Sequence, residues 1–293
     1  MKLKKVRSIA RTAVKGRLLP YVGGRFYHVR EAHGRLRGLF EPAEHEDEGV
    51  YSATLFPELD VEACVRAIRR DSVALGLMLP QDCVEEIRAF AECRPCIRPH
   101  LINRATPLGV KATERFYKKD VTAGRLPNGE LAPMAMIVGA DESPAVARIV
   151  NDLILLKVAR RFLRYRPAKR RVKLFWSFPG DVDHQGRLDL HQTVDYHFDV
   201  EGFSFLYVNF YLTDTDRSSG AHALVKGSHR GKSLAMLKSA AAPAETVLRR
   251  YGHDNVLLIE RPRGFGFIED AACYHKAIAP ITQERLLLQI RYS

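Results

Sequence analysis

Cysteine is scarce, acid is almost missing from the first forty residues, and no long apolar run occurs anywhere in the 293-residue chain. Each absence excludes something. Five cysteines, an odd number in a chain this long, build no disulfide framework, so a reducing, cytoplasmic setting is expected. No apolar run is long enough to span a bilayer. Charges break the N-terminus every few residues, which does not suit the apolar core of a secretory signal. Internal repeats and low-complexity tracts are missing too. What remains, 46% hydrophobic and 27% charged, is the composition of a globular protein able to bury a sizeable core.

The net charge of +12 points to nucleic acid until it is located. Residues 1–40 hold Lys2, Lys4, Lys5, Arg7, Arg11, Lys15, Arg17, Arg25, Arg30, Arg35 and Arg37 against one acid, Glu31. That segment carries +10 of the +12, which leaves +2 for everything after it. Basicity therefore belongs to residues 1–48, read as an N-terminal arm, and not to the domain at 49–293. Leu3, Val6, Ala10, Ala13 and Val14 recur at helical spacing between the cations, the pattern of an amphipathic helix lying on an anionic membrane surface. A frayed terminus and an organellar transit peptide are the alternatives. The acidic stretch Glu44–Glu48 marks the junction with the folded body.

Helical periodicity comes first along that body. One helix starts near Asp60 and carries Val61, Val65 and Ile68; the next has Pro80 in its first turn and carries Val84, Ile87 and Phe90. Residues 97–142 give no clear pattern. Ser143-Pro144 is an N-cap followed by a first-turn proline, opening a helix expected to run to about Leu163. From Val172 the period changes to two, with strands at Phe205–Leu212, Ala223–Val225, Val256–Ile259, Phe265–Ile268 and Arg285–Tyr292. Helical support over about 59–165 and a β-rich core over about 172–293 make an α+β sandwich or barrel braced by helices.

His197-Phe198-Asp199 precedes the strand at 205–212. In extended chain, positions i and i+2 project to one face, so both groups can reach one ion. A third ligand is needed, and His275 is the best placed. Two neutral imidazoles and one carboxylate form the facial triad of non-haem iron(II) oxygenases, which leaves adjacent coordination positions free for a keto acid and dioxygen. Ten residues on, Arg285 opens a strand with Arg285, Leu287, Gln289 and Arg291 on one face and Leu286, Leu288 and Ile290 on the other. Its planar guanidinium matches the distal carboxylate of 2-oxoglutarate. On the strand at 205–212, Tyr207, Asn209 and Tyr211 share a face opposite Leu206, Val208, Phe210 and Leu212.

Order and spacing together resemble the phytanoyl-CoA dioxygenase (PhyH) family over about residues 143–293. The motifs are His197-Phe-Asp199, Tyr211-Leu-Thr-Asp-Thr-Asp216, Ser219-Gly-Ala-His222, Gly227-Ser-His229, Gly264-Phe-Gly-Phe-Ile-Glu-Asp270, His275-Lys276 and Arg285. The segments around Asn151 and Trp176-Ser-Phe-Pro179 also fit. This resemblance implies a double-stranded β-helix (a jelly-roll, cupin-like barrel), Fe(II) ligands at His197, Asp199 and His275, an Arg285 salt bridge to 2-oxoglutarate, and a cosubstrate contact from Asn209. It implies dioxygen as the second cosubstrate and hydroxylation of a C–H bond in a small organic substrate that is lipid-, CoA- or glycan-linked. Related halogenases have a small residue where this chain has Asp199, so the aspartate favours hydroxylation.

Two other functions share parts of the pattern. A nucleic-acid demethylase of the AlkB type also uses His-x-Asp and a distal histidine, and the Arg285/Arg291 spacing resembles its paired arginines; the nearly neutral body argues against it. A cupin-like barrel that senses metal or ligand without turnover is the non-catalytic reading. His222 and His229 sit in turn-like contexts that suit hydrogen bonding. Cys93-Arg-Pro-Cys96 has redox spacing but lacks the strand-to-helix setting of a thioredoxin motif, and all four cysteines up to Cys96 read as structural. Arg160, Arg161, Arg164, Arg166, Lys169, Arg170, Arg171 and Lys173 occur with no acid among them. Part of that cluster complements a helix C-terminus; the excess suits a phosphate-bearing substrate or an anionic surface.

Overall fold

The computed structural model describes residues 18–41, 54–99, 114–189 and 195–293. The amphipathic pattern at residues 3–14 and the acidic junction Glu44–Glu48 lie outside these residues.

Local chemistry sets most of the helices. Leu18–Gly23 (α1) and Tyr27–Gly38 (α2) open the described chain. Val61–Asp71 (α3) begins at Asp60, whose carboxylate accepts the Ala63 N–H at 2.9 Å and satisfies one free donor of the first turn. Val73–Met78 (β1) follows at once, a strand that the sequence reading did not anticipate because six residues between two helices resemble a linker. Pro80 then precedes Gln81–Cys93 (α4). Within 97–142, where no element was expected, the chain contributes to Cys96–Ile97 (β2) and forms Met134–Ile137 (β3). The single helix expected from Ser143 to Leu163 is two: Pro144–Val150 (α5) and Leu153–Leu163 (α6). Asp152 causes the break. Its carboxylate caps the second helix through the N–H groups of Ile154 and Leu155 and also receives Thr54 Oγ1 and the Leu55 N–H.

Arg170–Ser177 (β4) starts the β-rich part, followed by His184–Asp189 (α7), Leu206–Tyr211 (β5) and His222–Val225 (β6). Leu234–Leu237 (α8), Ala244–Tyr251 (α9), Val256–Ile259 (β7), Phe265–Glu269 (β8), His275–Ala277 (β9) and Arg285–Tyr292 (β10) complete it. The result is a mixed helix and sheet architecture with two antiparallel sheets, ordered β1-β8-β5-β10-β4-β3-β2 and β7-β6-β9. Three strands of the larger sheet come from the half expected to be helical.

Alternation assigns the two faces of the larger sheet. Leu206, Val208, Phe210, Leu286, Leu288 and Ile290 join α3, α4, α5 and α6 in the main core. Each such aliphatic side chain contributes about 1.5–3 kcal/mol by leaving water. Tyr211, Phe265, Phe267 and Leu287 look the other way and pack with Leu224 and Ile259 of the smaller sheet. The site lies on this second face.

Residues 18–41 pack against the body. Gly34 and Gly38, one turn apart on α2, bring the helix so close to the Leu163 and Arg164 carbonyls that an added Cβ would lie 2.8 and 2.6 Å from them. His33 stacks on Phe203 at 4.3 Å. Arg30 is buried and donates to Asp270 Oδ1 at 2.6 Å and to the Phe203 carbonyl at 3.2 Å. Burial alone would raise the Asp270 pKa; Arg30 and His229 hold it below the ordinary aspartate value. Among the described residues, no helix is long and apolar enough to cross a membrane.

Candidate metal centre

Two main-chain ladders bring the candidate ligands together. His197 and His275 exchange both backbone hydrogen bonds, at 3.0 and 2.8 Å, as a narrow antiparallel pair. The Asp199 N–H donates to the Ala271 carbonyl at 2.8 Å, and Phe198 between them donates to Ala240. Side chains at 197 and 199 therefore share a face, as their spacing predicts, and the partner segment supplies His275. One ligand atom from each of His197, Asp199 and His275 lies within 4.8 Å of the others.

Hydrogen bonding fixes the roles of the ring nitrogens. His197 Nδ1 lies 3.0 Å from the Asp195 carbonyl, and His275 Nδ1 lies 3.1 Å from the Cys273 carbonyl. A carbonyl can only accept, so each Nδ1 carries the proton and each Nε2 keeps its lone pair. That is the tautomer a metal needs. Burial, followed by the neighbouring His275, lowers the His197 pKa to about 4, which keeps its ring neutral at physiological pH. Tyr207 donates its hydroxyl to Asp199 Oδ2 at 2.9 Å, leaving Oδ1 on the side of His197 Nε2, 3.8 Å away. Burial and then Asp199 push the Tyr207 phenol far up, so it stays a donor.

Arg285 lies at the other end of the same face, 2% exposed. Its guanidinium donates to the Gly220 carbonyl and, at 3.3 Å, to Ser177 Oγ, while Nε has no hydrogen-bond partner among the described residues. It has no carboxylate partner among the described residues. Burial depresses its pKa, with Tyr211 acting weakly in the opposite sense. A buried cation without a counter-ion is costly, and an incoming anion removes that cost. Asn209 is 1% exposed; its Oδ1 accepts from Gln289 Nε2 at 3.2 Å, and its Nδ2 has no partner among the described residues. Alternation along β5 places Asn209 between Tyr207, which touches Asp199, and Tyr211, which lies diagonally across from Arg285 on β10.

Two residues in this space escaped the sequence reading. Glu269, 1% exposed, brings Oε1 to 3.6 Å from His275 Nδ1 and accepts the Cys273 thiol at 3.4 Å. Its Oε2 is 3.0 Å from His222 Nε2. Burial would raise its pKa, yet the imidazoles of His222 and His275 hold it at about 2. His222 stacks on His275 at 5.4 Å, so it belongs to the site and not to a turn. An acidic residue at an inward position of the otherwise apolar strand Phe265–Glu269 was the available signal. His229, by contrast, hydrogen-bonds Ser72 Oγ outside the triad. Arg291 is ion-paired with Glu201 and is not a second copy of Arg285. Burial pushes the thiols of Cys64 and Cys96 up to about 12 and that of Cys273 well above the ordinary value, which makes them poor nucleophiles.

No protein-family model matches the chain, and no curated protein matches it. Solved structures do. The epimerase SnoN in complex with Fe3+, alpha-ketoglutarate and nogalamycin RO is 17% identical over 79% of this chain and 82% of that one, with a TM-score of 0.50. EctD from S. alaskensis with 2-oxoglutarate and 5-hydroxyectoine is 17% identical over 86% of this chain and 79% of that one, also with a TM-score of 0.50. This chain shares their fold. Both neighbours were crystallised with the keto acid, and their fold is of the cupin type.

Proposed function

We propose that this protein is an Fe(II)- and 2-oxoglutarate-dependent dioxygenase that hydroxylates a C–H bond of a small organic substrate. The observation that carries the reading is the convergence of His197, Asp199 and His275 within 4.8 Å, with both Nε2 atoms left free by their Nδ1 hydrogen bonds. Two imidazoles and one carboxylate fit iron(II). The uncompensated Arg285 guanidinium and the unpartnered Asn209 amide fit a bound keto acid. Motif order supports a PhyH-like double-stranded β-helix over about 143–293, within a domain spanning 49–293.

Bound iron with 2-oxoglutarate and dioxygen supplies the oxidising power for C–H cleavage, with succinate and carbon dioxide as co-products. The chain's own groups bind and orient. His197, Asp199 and His275 would hold the metal, and the Tyr207 hydroxyl, bonded to Asp199 Oδ2, would leave Oδ1 free to face it. Arg285 would hold the far carboxylate of the keto acid through its buried guanidinium. The apolar wall of Phe267, Leu287 and Leu224 excludes water around them.

Anaerobic titration with iron(II) and 2-oxoglutarate tests the proposal through the visible charge-transfer band of a chelated keto acid. Succinate release is then screened against acyl-CoAs, lipids and nucleotide sugars. His197→Ala and Asp199→Ala are expected to abolish iron-dependent succinate release. Absence of the band, or parental turnover in Asp199→Ala, overturns it.

A further inference from the structure

Register across the larger sheet places a cationic strip beside the metal centre. Directly opposed residues of antiparallel strands share a face. One row on the site face therefore reads Arg171, Arg291, Tyr207, Glu269 from β4 to β8, and the next reads Lys173, Gln289, Asn209, Phe267. Even-numbered neighbours on β4, Leu174 and Trp176, belong to the opposite core, and Phe175 packs with the site-side cluster, so the assignment of β4 holds through its length. Beyond Phe175, toward Arg171, β3 no longer pairs with β4, which leaves this stretch at the sheet's edge.

The charges in these rows do not balance. Glu269 faces His222, Glu201 pairs with Arg291, and Asp199 belongs to the metal set. Arg171 and Lys173 are exposed and have no ion-pair partner among the described residues. We propose that Arg171 and Lys173 bind a phosphate group of the substrate, so that the hydroxylase acts on a phosphorylated molecule. The inference rests on the oxygenase reading above. An arginine and a lysine on one face suit a dianionic phosphate better than a single carboxylate. With strands about 4.8 Å apart, β4 lies roughly 10 Å across the sheet from Tyr207, whose hydroxyl reaches Asp199. The phosphate and the reacting carbon are therefore separated by several bonds, and a small ester such as a methyl phosphate would not span both.

Hexyl phosphate is the probe. It is titrated by calorimetry into the full chain loaded anaerobically with iron(II) and 2-oxoglutarate, beside Arg171→Gln/Lys173→Gln and the charge-preserving Arg171→Lys/Lys173→Arg. The expected result is binding weakened by about tenfold or more in the glutamine pair. Binding should be retained in the charge-preserving pair, with the keto-acid charge-transfer band and its titration midpoint unchanged in all three proteins. Equal binding in the glutamine pair, or no binding by the parent while the band forms, overturns the inference. If the band itself fails to form, the oxygenase reading fails, and titration of metal-free protein decides the strip separately by the same comparison. Co-sedimentation with vesicles of phosphatidylcholine and phosphatidic acid, lost in the glutamine pair, assigns the phosphate to a lipid headgroup. Hexyl phosphate binding without sedimentation assigns it to a soluble substrate.

Discussion

Replacing Arg285 by methionine should separate function from stability. The guanidinium is 2% exposed, keeps one unpartnered nitrogen and has no carboxylate beside it among the described residues. Removing an uncompensated buried charge in favour of an apolar group gains about 1–4 kcal/mol. Against that, the Gly220 carbonyl and Ser177 hydroxyl lose a donor, which costs about 1–3 kcal/mol. The two nearly cancel, so urea unfolding of the metal-free, keto-acid-free protein should place Arg285→Met within about 2 kcal/mol of the parent. Keto-acid binding should behave differently. Two charge-assisted bonds, each about 1.5–3 kcal/mol, predict a loss of about 3–6 kcal/mol, or a factor of roughly 10² to 10⁴. Titration of the iron(II)-loaded variant with 2-oxoglutarate, followed through the visible band, measures that factor. A variant that loses more than about 3 kcal/mol of stability while binding 2-oxoglutarate within about threefold of the parent would show that Arg285 is a structural residue and refute the argument.

Three further outcomes follow from the geometry. Glu269→Gln keeps the shape but removes the charge facing His275 and His222, so iron(II) affinity by competition with a chelator should fall about 10- to 100-fold; unchanged affinity means that Cys273 alone orients His275. Asp270→Asn leaves Arg30 buried without its counter-charge, and chemical denaturation should show a loss of about 3–5 kcal/mol, whereas a loss below about 1 kcal/mol would mean that α2 docks without this pair. His229 is buried with its pKa lowered to about 4 by burial first, so the unfolded chain takes up its proton at higher pH than the folded one. Stability from this group is present above about pH 6.5 and is lost as pH falls toward 4, by up to about 3 kcal/mol. In His229→Asn, the melting temperature of metal-free protein should therefore depend less on pH over that window.

The β-rich part was legible because alternation leaves a direct signature. The boundaries expected for Val256–Ile259 and Arg285–Tyr292 match the structure, Phe205–Leu212 is one residue too long at each end, and Phe265–Ile268 is one residue short at its C-terminal end. The face assignments of Asn209 and Leu286 follow from the same period. Strands β1 and β3 were illegible for the opposite reason: four to six residues set by pairing to distant β8 and β4 carry almost no local pattern. Asp152 hid the break between α5 and α6, since a helical period runs through it and only its contacts with Thr54 and Leu55 reveal the cap. Within the site, spacing brought out His197, Asp199, His275 and Arg285. Glu269 and His222 were missed because their role depends on a meeting across two sheets. The basic residues at 18–41 read as an arm by charge alone, while Gly34, Gly38 and Arg30 supply packing that a charge count does not register.

The reciprocal backbone bonds between His197 and His275 have a practical consequence. Because the two segments grip each other by their amides and each ring is tied to a backbone carbonyl through Nδ1, the spacing of the imidazoles is set by the chain itself, and exchange of one divalent cation for another should leave the frame standing. Apo protein can thus be stripped and refilled as a blank for comparing metals. Any difference in behaviour among them would report the chemistry of the ion, with little contribution from a reshaped host.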